Sequence, residues 1–161
     1  PMCAFNRFTR QGDETMWKDD DELFGMLAED AGALPASAAT DFAPWRRRYV
    51  ARQQAMENAI GPLRARLRSA LAGRSAAMAK LAAVDVVMAQ ALGAHEQRLL
   101  ATVPTLLERR FERLRRAEVD QSESPDAWRA AFARDVRSVL LAELDLRMQP
   151  IDGLLEALHQ R

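Results

Sequence analysis

From residue 41 onwards, apolar residues recur at spacings of three and four, which is the period of an amphipathic α-helix. Three such stripes follow one another, and they predict helices over 44–73, 75–117 and 125–159. No part of 41–161 alternates polar and apolar residues as a strand would. The predicted fold class is therefore all-α, with long, proline-kinked amphipathic helices in an antiparallel bundle or a coiled-coil-like hairpin.

Three prolines lie inside these stripes, at Pro62, Pro104 and Pro150, and the apolar spacing keeps its phase across each of them. A turn would normally reset that phase, so each helix is expected to continue past its proline with a kink. The alternative is that a proline ends one helix and starts another. Ser75 and the Ser124–Pro125 pair are the predicted starts of the second and third helices.

Charge cancels over the whole chain, with 23 Lys plus Arg against 23 Asp plus Glu, but its distribution is uneven. Residues 1–44 carry nine acidic and three basic groups, whereas 45–74 carry eight arginines and one glutamate. Residues 1–40 also lack a sustained helical or strand period. The predicted organisation is an acidic, weakly structured segment over 1–40 and a helical bundle domain over 41–161.

The arginines of the first helix suggest nucleic-acid binding as an alternative function. The candidate basic patch consists of Arg46, Arg47, Arg48, Arg52, Arg64 and Arg68. Arginine binds phosphates in a bidentate geometry and stacks on bases. The zero net charge weighs against this function, because nucleic-acid-binding domains are typically basic overall.

Catalytic and metal-binding patterns are missing from the sequence. It has no phosphate-binding glycine loop, nucleophile elbow or zinc-protease helix. Glu156 and His159 have the Glu-x-x-His spacing of di-iron bundles, but no second pair of this kind exists. We predict that the protein is not an enzyme and has no catalytic, cofactor-binding or metal-binding residue.

Two polar residues, Asp85 and His95, interrupt the apolar stripe of the second predicted helix. Buried charges are costly unless they are paired, so Asp85 is expected to pair with an arginine of the 64–68 segment. The alternative is that these residues handle a proton, or set the register between helices.

A continuous helix over 75–117 would be about 65 Å long, which exceeds the length of either neighbouring helix. The part of its stripe that the neighbours leave uncovered is the candidate interface, formed by Leu99, Val103, Leu107, Phe111 and Leu114. We expect a protein partner there, and a homodimer is the assembly that this geometry favours.

No apolar run near residue 1 is typical of a signal peptide, and charged residues interrupt the most apolar stretch, 76–94. The expected location is the cytoplasm, without membrane insertion.

Several short runs resemble an uncharacterised, all-helical proteobacterial family over about 41–161. They are DFAPWRRRY at 41–49, IGPLRA at 60–65, LATVP at 100–104, LERRFE at 107–112 and AELDLR at 142–147. The resemblance implies no activity and no catalytic residues. It implies a role in assembly, because members of the family accompany envelope-associated proteins.

Together these observations predict a non-enzymatic helical interaction or scaffolding protein, as a cytoplasmic component of an envelope-associated assembly. Nucleic-acid association through the 46–68 segment is the alternative.

Overall fold

The computed structural model describes residues 41–120 and 127–159, with side chains as far as Ala117 in the first range. Within these ranges the chain forms helices α1 (Ala43–Ala72), α2 (Ala76–Leu100), α3 (Val103–Asp120) and α4 (Ala127–His159), and no strand. The all-α prediction is confirmed. The predicted amino-terminal segment and the Ser124–Pro125 helix start lie outside the described residues.

Side-chain oxygens accept backbone N–H groups at the start of the first two helices. The Asp41 carboxylate accepts the backbone N–H of Ala43 at 2.9 Å, at the start of α1. At the start of α2, the Ser75 hydroxyl accepts the backbone N–H of Met78 at 3.2 Å. These contacts satisfy donors that have no partner inside their helices. The prediction that Ser75 starts the second helix is confirmed.

The helices run up, down and up, with α2 and α3 together forming the descending limb. Arg64 and Arg68 of α1 bind Asp85 of α2, while Phe42 at the start of α1 packs on Phe111 of α3. Later residues of the descending limb therefore meet earlier residues of α1. The contacts therefore run in opposite directions along α1 and the descending limb.

Helices α1 and α4 run parallel to each other. Trp45 packs on Phe132, Tyr49 bonds to Glu143, and Arg74 near the end of α1 donates to the Leu158 carbonyl. These contacts therefore advance in the same direction along both helices. The reason is the odd number of limbs: a descending limb between two ascending ones leaves the outer two parallel.

The long second helix breaks at Ala101 and Thr102, so the expectation of a continuous helix through Pro104 is wrong. Proline has no backbone N–H, and Pro104 cannot donate to the carbonyl four residues earlier, that of Leu100. That carbonyl accepts instead from the Gln53 side chain of α1, at 3.3 Å. The Leu100 carbonyl thus connects the descending limb to α1 at the junction between α2 and α3.

Pro62 and Pro150 lie inside α1 and α4, which continue past them as the unbroken apolar phase predicts. Replacement of the exposed Pro62 by alanine should raise the free energy of unfolding by about 1–3 kcal/mol. The change adds an N–H that can donate to the Asn58 carbonyl, and it removes no buried contact. Urea unfolding followed by circular dichroism measures the difference. A destabilised variant would show that α1 requires the proline.

Two clusters form the core, one at each end of α1. At its start the cluster is aromatic and consists of Phe42, Trp45, Phe111, Trp128 and Phe132. At its end the cluster is aliphatic and consists of Leu67, Leu71, Ala82, Ile151, Leu154 and Ala157. Helix α2 contributes only the small side chain of Ala82 to these buried residues.

Candidate protein-interaction surface

Helix α2 turns its small residues toward the bundle. Ala82 is buried, while Ala79, Ala89 and Gly93 on the same side are half-buried. These residues follow one another at spacings of three, seven and four, so they lie along one face. Small side chains allow α2 to approach α1 closely. The larger apolar residues of α2 therefore lie on other sides of the helix.

The Asp85 carboxylate lies on this inner side and binds two arginines of α1. Arg64 donates to its two oxygens at 2.9 and 2.5 Å, and Arg68 donates at 2.5 Å. The hydrogen bond from Arg64 and then that from Arg68 lower the pKa of Asp85 below its ordinary value, against the opposing effect of burial. The predicted pairing of Asp85 with the 64–68 segment is confirmed, and it fixes the orientation of α2 on α1.

Replacement of Asp85 by asparagine should lower the free energy of unfolding by about 1–3 kcal/mol at neutral pH, because two arginines lose a partly buried carboxylate. A carboxyl whose pKa is depressed by folding stabilises the protein above its unfolded pKa, and this contribution is lost as pH falls through the folded pKa. The difference from wild type should therefore shrink below about pH 4. Urea titrations at several pH values measure it.

Asp135→Asn is the matched control, because the Asp135–Arg110 pair has similar atoms but is more exposed. This variant should lose less than about 1 kcal/mol. Equal losses for the two variants would contradict the structural importance of Asp85.

The opposite side of α2 exposes a row of large apolar side chains, which we call the outer face. It consists of Leu81, Val84, Met88, Leu92 and Leu99, each between 42% and 57% exposed. The spacings of three, four and four between the first four residues place them along one side of a straight helix. His95, also exposed, lies in the same row between Leu92 and Leu99. Val86 and Val87 of α2 are exposed as well.

A contiguous exposed apolar surface of this size matches the largest patch of a typical soluble protein, and such a patch is often functional. The five side chains expose on the order of 500 Å² together, within the range where such patches mark interaction sites. The outer face is therefore the strongest candidate functional surface among the residues that the structure describes.

The segment that contains α2, Ala76–Ala117, is long and apolar enough to cross a membrane by length and composition alone. Only 6% of its most apolar part is buried inside the protein. The expectation of no membrane insertion stays a prediction. One helix of this kind is weak evidence for a membrane span.

The candidate interface predicted from the sequence divides into buried and exposed parts. Phe111 is 2% exposed and Leu107 is buried with it, whereas Val103 and Leu114 are half-buried. Only Leu99 of the five is exposed, at 57%. The prediction that these residues form an uncovered stripe is wrong, because Phe111 of α3 packs on Phe42 of α1 and on Trp128 and Phe132 of α4.

The six arginines of the candidate basic patch do not form one surface. Arg64 and Arg68 bind Asp85. Arg46 and Arg47 are exposed near the start of α1, about 27 Å along the helix from Arg64. Arg48 and Arg52 are half-buried. The patch therefore loses two of its members to an ion pair, and no observation strengthens the nucleic-acid alternative.

A buried polar network joins α1 to α4. The Glu143 side chain is 4% exposed and accepts the Tyr49 hydroxyl at 2.6 Å and the Gln53 amide at 3.0 and 3.1 Å. Arg147 donates to the same carboxylate at 2.7 and 3.0 Å, and it also contacts Glu57 at 3.4 Å. Both oxygens of the buried carboxylate therefore have donors.

Burial, and then the hydrogen bond to Glu143, raise the pKa of Tyr49 well above its ordinary value of 10.0. Its hydroxyl thus remains a donor throughout the physiological range. The network is suited to holding α4 against α1, since every charged member is paired.

Sequence reasoning missed this network, although it left a signal. Glu143 lies in phase with the buried residues Phe132, Val136 and Ile151 of α4, where an apolar residue is expected. Tyr49 and Gln53 are the polar members of the α1 stripe. A charged residue can lie where the helical period of one helix predicts a buried residue. When hydrogen-bond donors lie at such positions of another helix, the two together indicate a buried pair.

The residues considered for catalysis or metal binding lie apart. His95 is exposed on α2, and His159 is exposed at the end of α4, where its Nδ1 lies 2.6 Å from the Leu155 carbonyl. Within residues 41–117 and 127–159, no group of three or more His, Cys, Asp or Glu side chains could hold a metal ion.

These features define the class of protein: an all-helical chain whose helices are joined by paired buried charges, and which exposes one apolar helix face. The chain belongs to a family described as Protein of unknown function (DUF3348), which matches residues 15–160. The resemblance to an uncharacterised family is confirmed. The match also begins earlier than residue 41, so it includes part of the amino-terminal segment. Comparison with curated proteins and with solved structures found no match.

Proposed function

We propose that this is a non-enzymatic interaction or scaffolding protein that binds an apolar helix of another protein through the outer face of α2. The observation that carries the proposal is the row of large apolar side chains on α2, which no other described helix covers. Exposure of this apolar row to water is unfavourable, and a partner that buries the row removes that cost. A cytoplasmic location in an envelope-associated assembly is part of the same proposal.

A protein partner agrees with the contacts of α2 better than a membrane does. To cross a bilayer, α2 would have to leave α1 and carry Asp85 away from Arg64 and Arg68. An unpaired carboxylate in the hydrocarbon core is costly. A protein partner can bury the outer face while the inner face keeps all its contacts with α1.

Photo-cross-linking in the cells that produce the protein tests this proposal. A photoreactive amino acid replaces Leu92, which is 53% exposed on the outer face, or Leu106, which is 54% exposed on α3. Position 92 should give discrete protein adducts that mass spectrometry identifies, and position 106 should give far fewer. Adducts with lipid at position 92, or none at all, would contradict the proposal.

A further inference from the structure

We infer that the partner on the outer face of α2 is a second copy of this chain, packed antiparallel about a two-fold axis near Gln90. This inference rests on the proposed function, since it names the partner of the same surface. A two-fold contact uses one patch twice, so the patch must be complementary to itself. Four of the five large side chains of the outer face meet this requirement by their spacing.

Four of the five large side chains of the outer face are placed symmetrically about position 90. Leu81 and Leu99 each lie nine residues from Gln90, and Met88 and Leu92 each lie two residues from it. In an antiparallel pair, Leu81 of one copy therefore faces Leu99 of the other, and Met88 faces Leu92. Val84 lies six residues from Gln90 and faces position 96, which is a glutamate.

The charged residues of α2 permit this arrangement. Asp85 is held on the inner face by the two arginines of α1, away from the contact. Lys80 and Arg98 are exposed, and their long side chains can keep their charges in water at the edge of the pair. Antiparallel packing also places opposite ends of the two helix dipoles together.

The outer face supplies about half or more of the area that a dimer of this kind buries on each partner. Helix α2 is about 37 Å long, and its five large apolar side chains expose on the order of 500 Å². A stable interface buries about 800 Å² on each partner, so His95 and the residues at the edge need to supply the remainder. Two α1–α2 hairpins would then form a four-helix layer in which α2 is covered on both sides.

Light scattering of the full chain at micromolar concentrations tests the inference first. Wild type should have twice the chain mass of 18.0 kDa. Leu92→Glu should have the mass of one chain, because the variant places a charge from each copy in the contact. Leu106→Glu, at a position with the same exposure on α3, should remain a dimer.

A cysteine pair tests the antiparallel arrangement. Leu81→Cys and Leu99→Cys are made separately in a chain that also carries Cys3→Ser, and the two proteins are mixed under mild oxidation. A disulfide needs β-carbons about 4 Å apart, so the mixture should form covalent dimers and each variant alone should not. Covalent dimers from Leu81→Cys alone would overturn the antiparallel arrangement.

A wild-type monomer at high micromolar concentration would overturn the second copy as partner. A dimer that Leu92→Glu leaves intact would overturn it equally. The proposed function fails separately, when position 92 gives no protein adduct in cells.

Discussion

The Phe111→Glu variant is expected to lose at least about 4 kcal/mol of its free energy of unfolding and with it the fold around the start of α1. Phe111 is 2% exposed, and its ring lies 5.2 Å from those of Trp128 and Phe132 and 5.8 Å from that of Phe42. Truncation of a buried phenylalanine alone costs about 3–5 kcal/mol, and an unpaired carboxylate among aromatic rings adds to that. Urea unfolding monitored by tryptophan fluorescence measures the loss.

Leu106→Glu on the same helix is the control, and it should lose less than about 1 kcal/mol because Leu106 is exposed. The sequence pattern predicts instead that Phe111→Glu leaves a folded monomer. A well-folded Phe111→Glu chain of normal stability would therefore contradict the packing of α3 against α1 and α4.

The Glu143→Ala variant is expected to lose about 3–5 kcal/mol, because it removes the buried acceptor that three buried or half-buried donors share. Tyr49, Gln53 and Arg147 all donate to this carboxylate, and the Arg147 side chain is itself only 10% exposed. Thermal and urea unfolding at neutral pH measure the loss.

Glu112→Ala is the matched control, because Glu112 and Arg116 form the same kind of pair one helical turn apart but in water. It should lose less than about 0.5 kcal/mol. Glu143→Gln should fall between the two, since the amide oxygen can still accept the Tyr49 hydroxyl. Similar losses for Glu112→Ala and Glu143→Ala would show that the buried network does not stabilise the fold.

Periodicity alone predicted the helices, because burial along a helix repeats every 3.6 residues whatever its neighbours are. The Asp85 pairing was predictable as well, since an acidic residue on an apolar stripe needs a cation and the 64–68 segment supplies several. The prediction of the helices needs only the pattern within each helix. The prediction of the Asp85 pairing needs only the rule that a buried charge requires an opposite charge.

The sequence could not show which apolar residues the chain itself covers. Phe111 and Leu99 belong to the same unbroken stripe, yet one is buried in the aromatic cluster and the other is exposed on α2. The limb breaks at Ala101 and Thr102, and α3 packs against α1 and α4. The carbonyl that Pro104 leaves without a donor accepts from Gln53, and a contact over 47 residues has no local signature.

The parallel arrangement of α1 and α4 was also hidden, because it follows from the number of limbs. Two long helices and a broken one allow either a hairpin or a bundle of three limbs. The contacts between Glu143 and α1 belong to the bundle of three limbs. In the sequence of α4 alone, however, Glu143 looks like an ordinary surface glutamate.

The central claim is that protein covers the outer face of α2 in the cell, and oxidation of Met88 tests it most directly. Met88 is 48% exposed on that face, whereas Met56 is fully buried in α1 and serves as the internal reference. Methionine is oxidised according to its exposure, so a partner that covers Met88 should slow its conversion to the sulfoxide. In freshly broken cells, Met88 should be oxidised several-fold more slowly in wild type than in Leu92→Glu, with Met56 protected in both. Equal oxidation of Met88 in the two proteins would contradict the account.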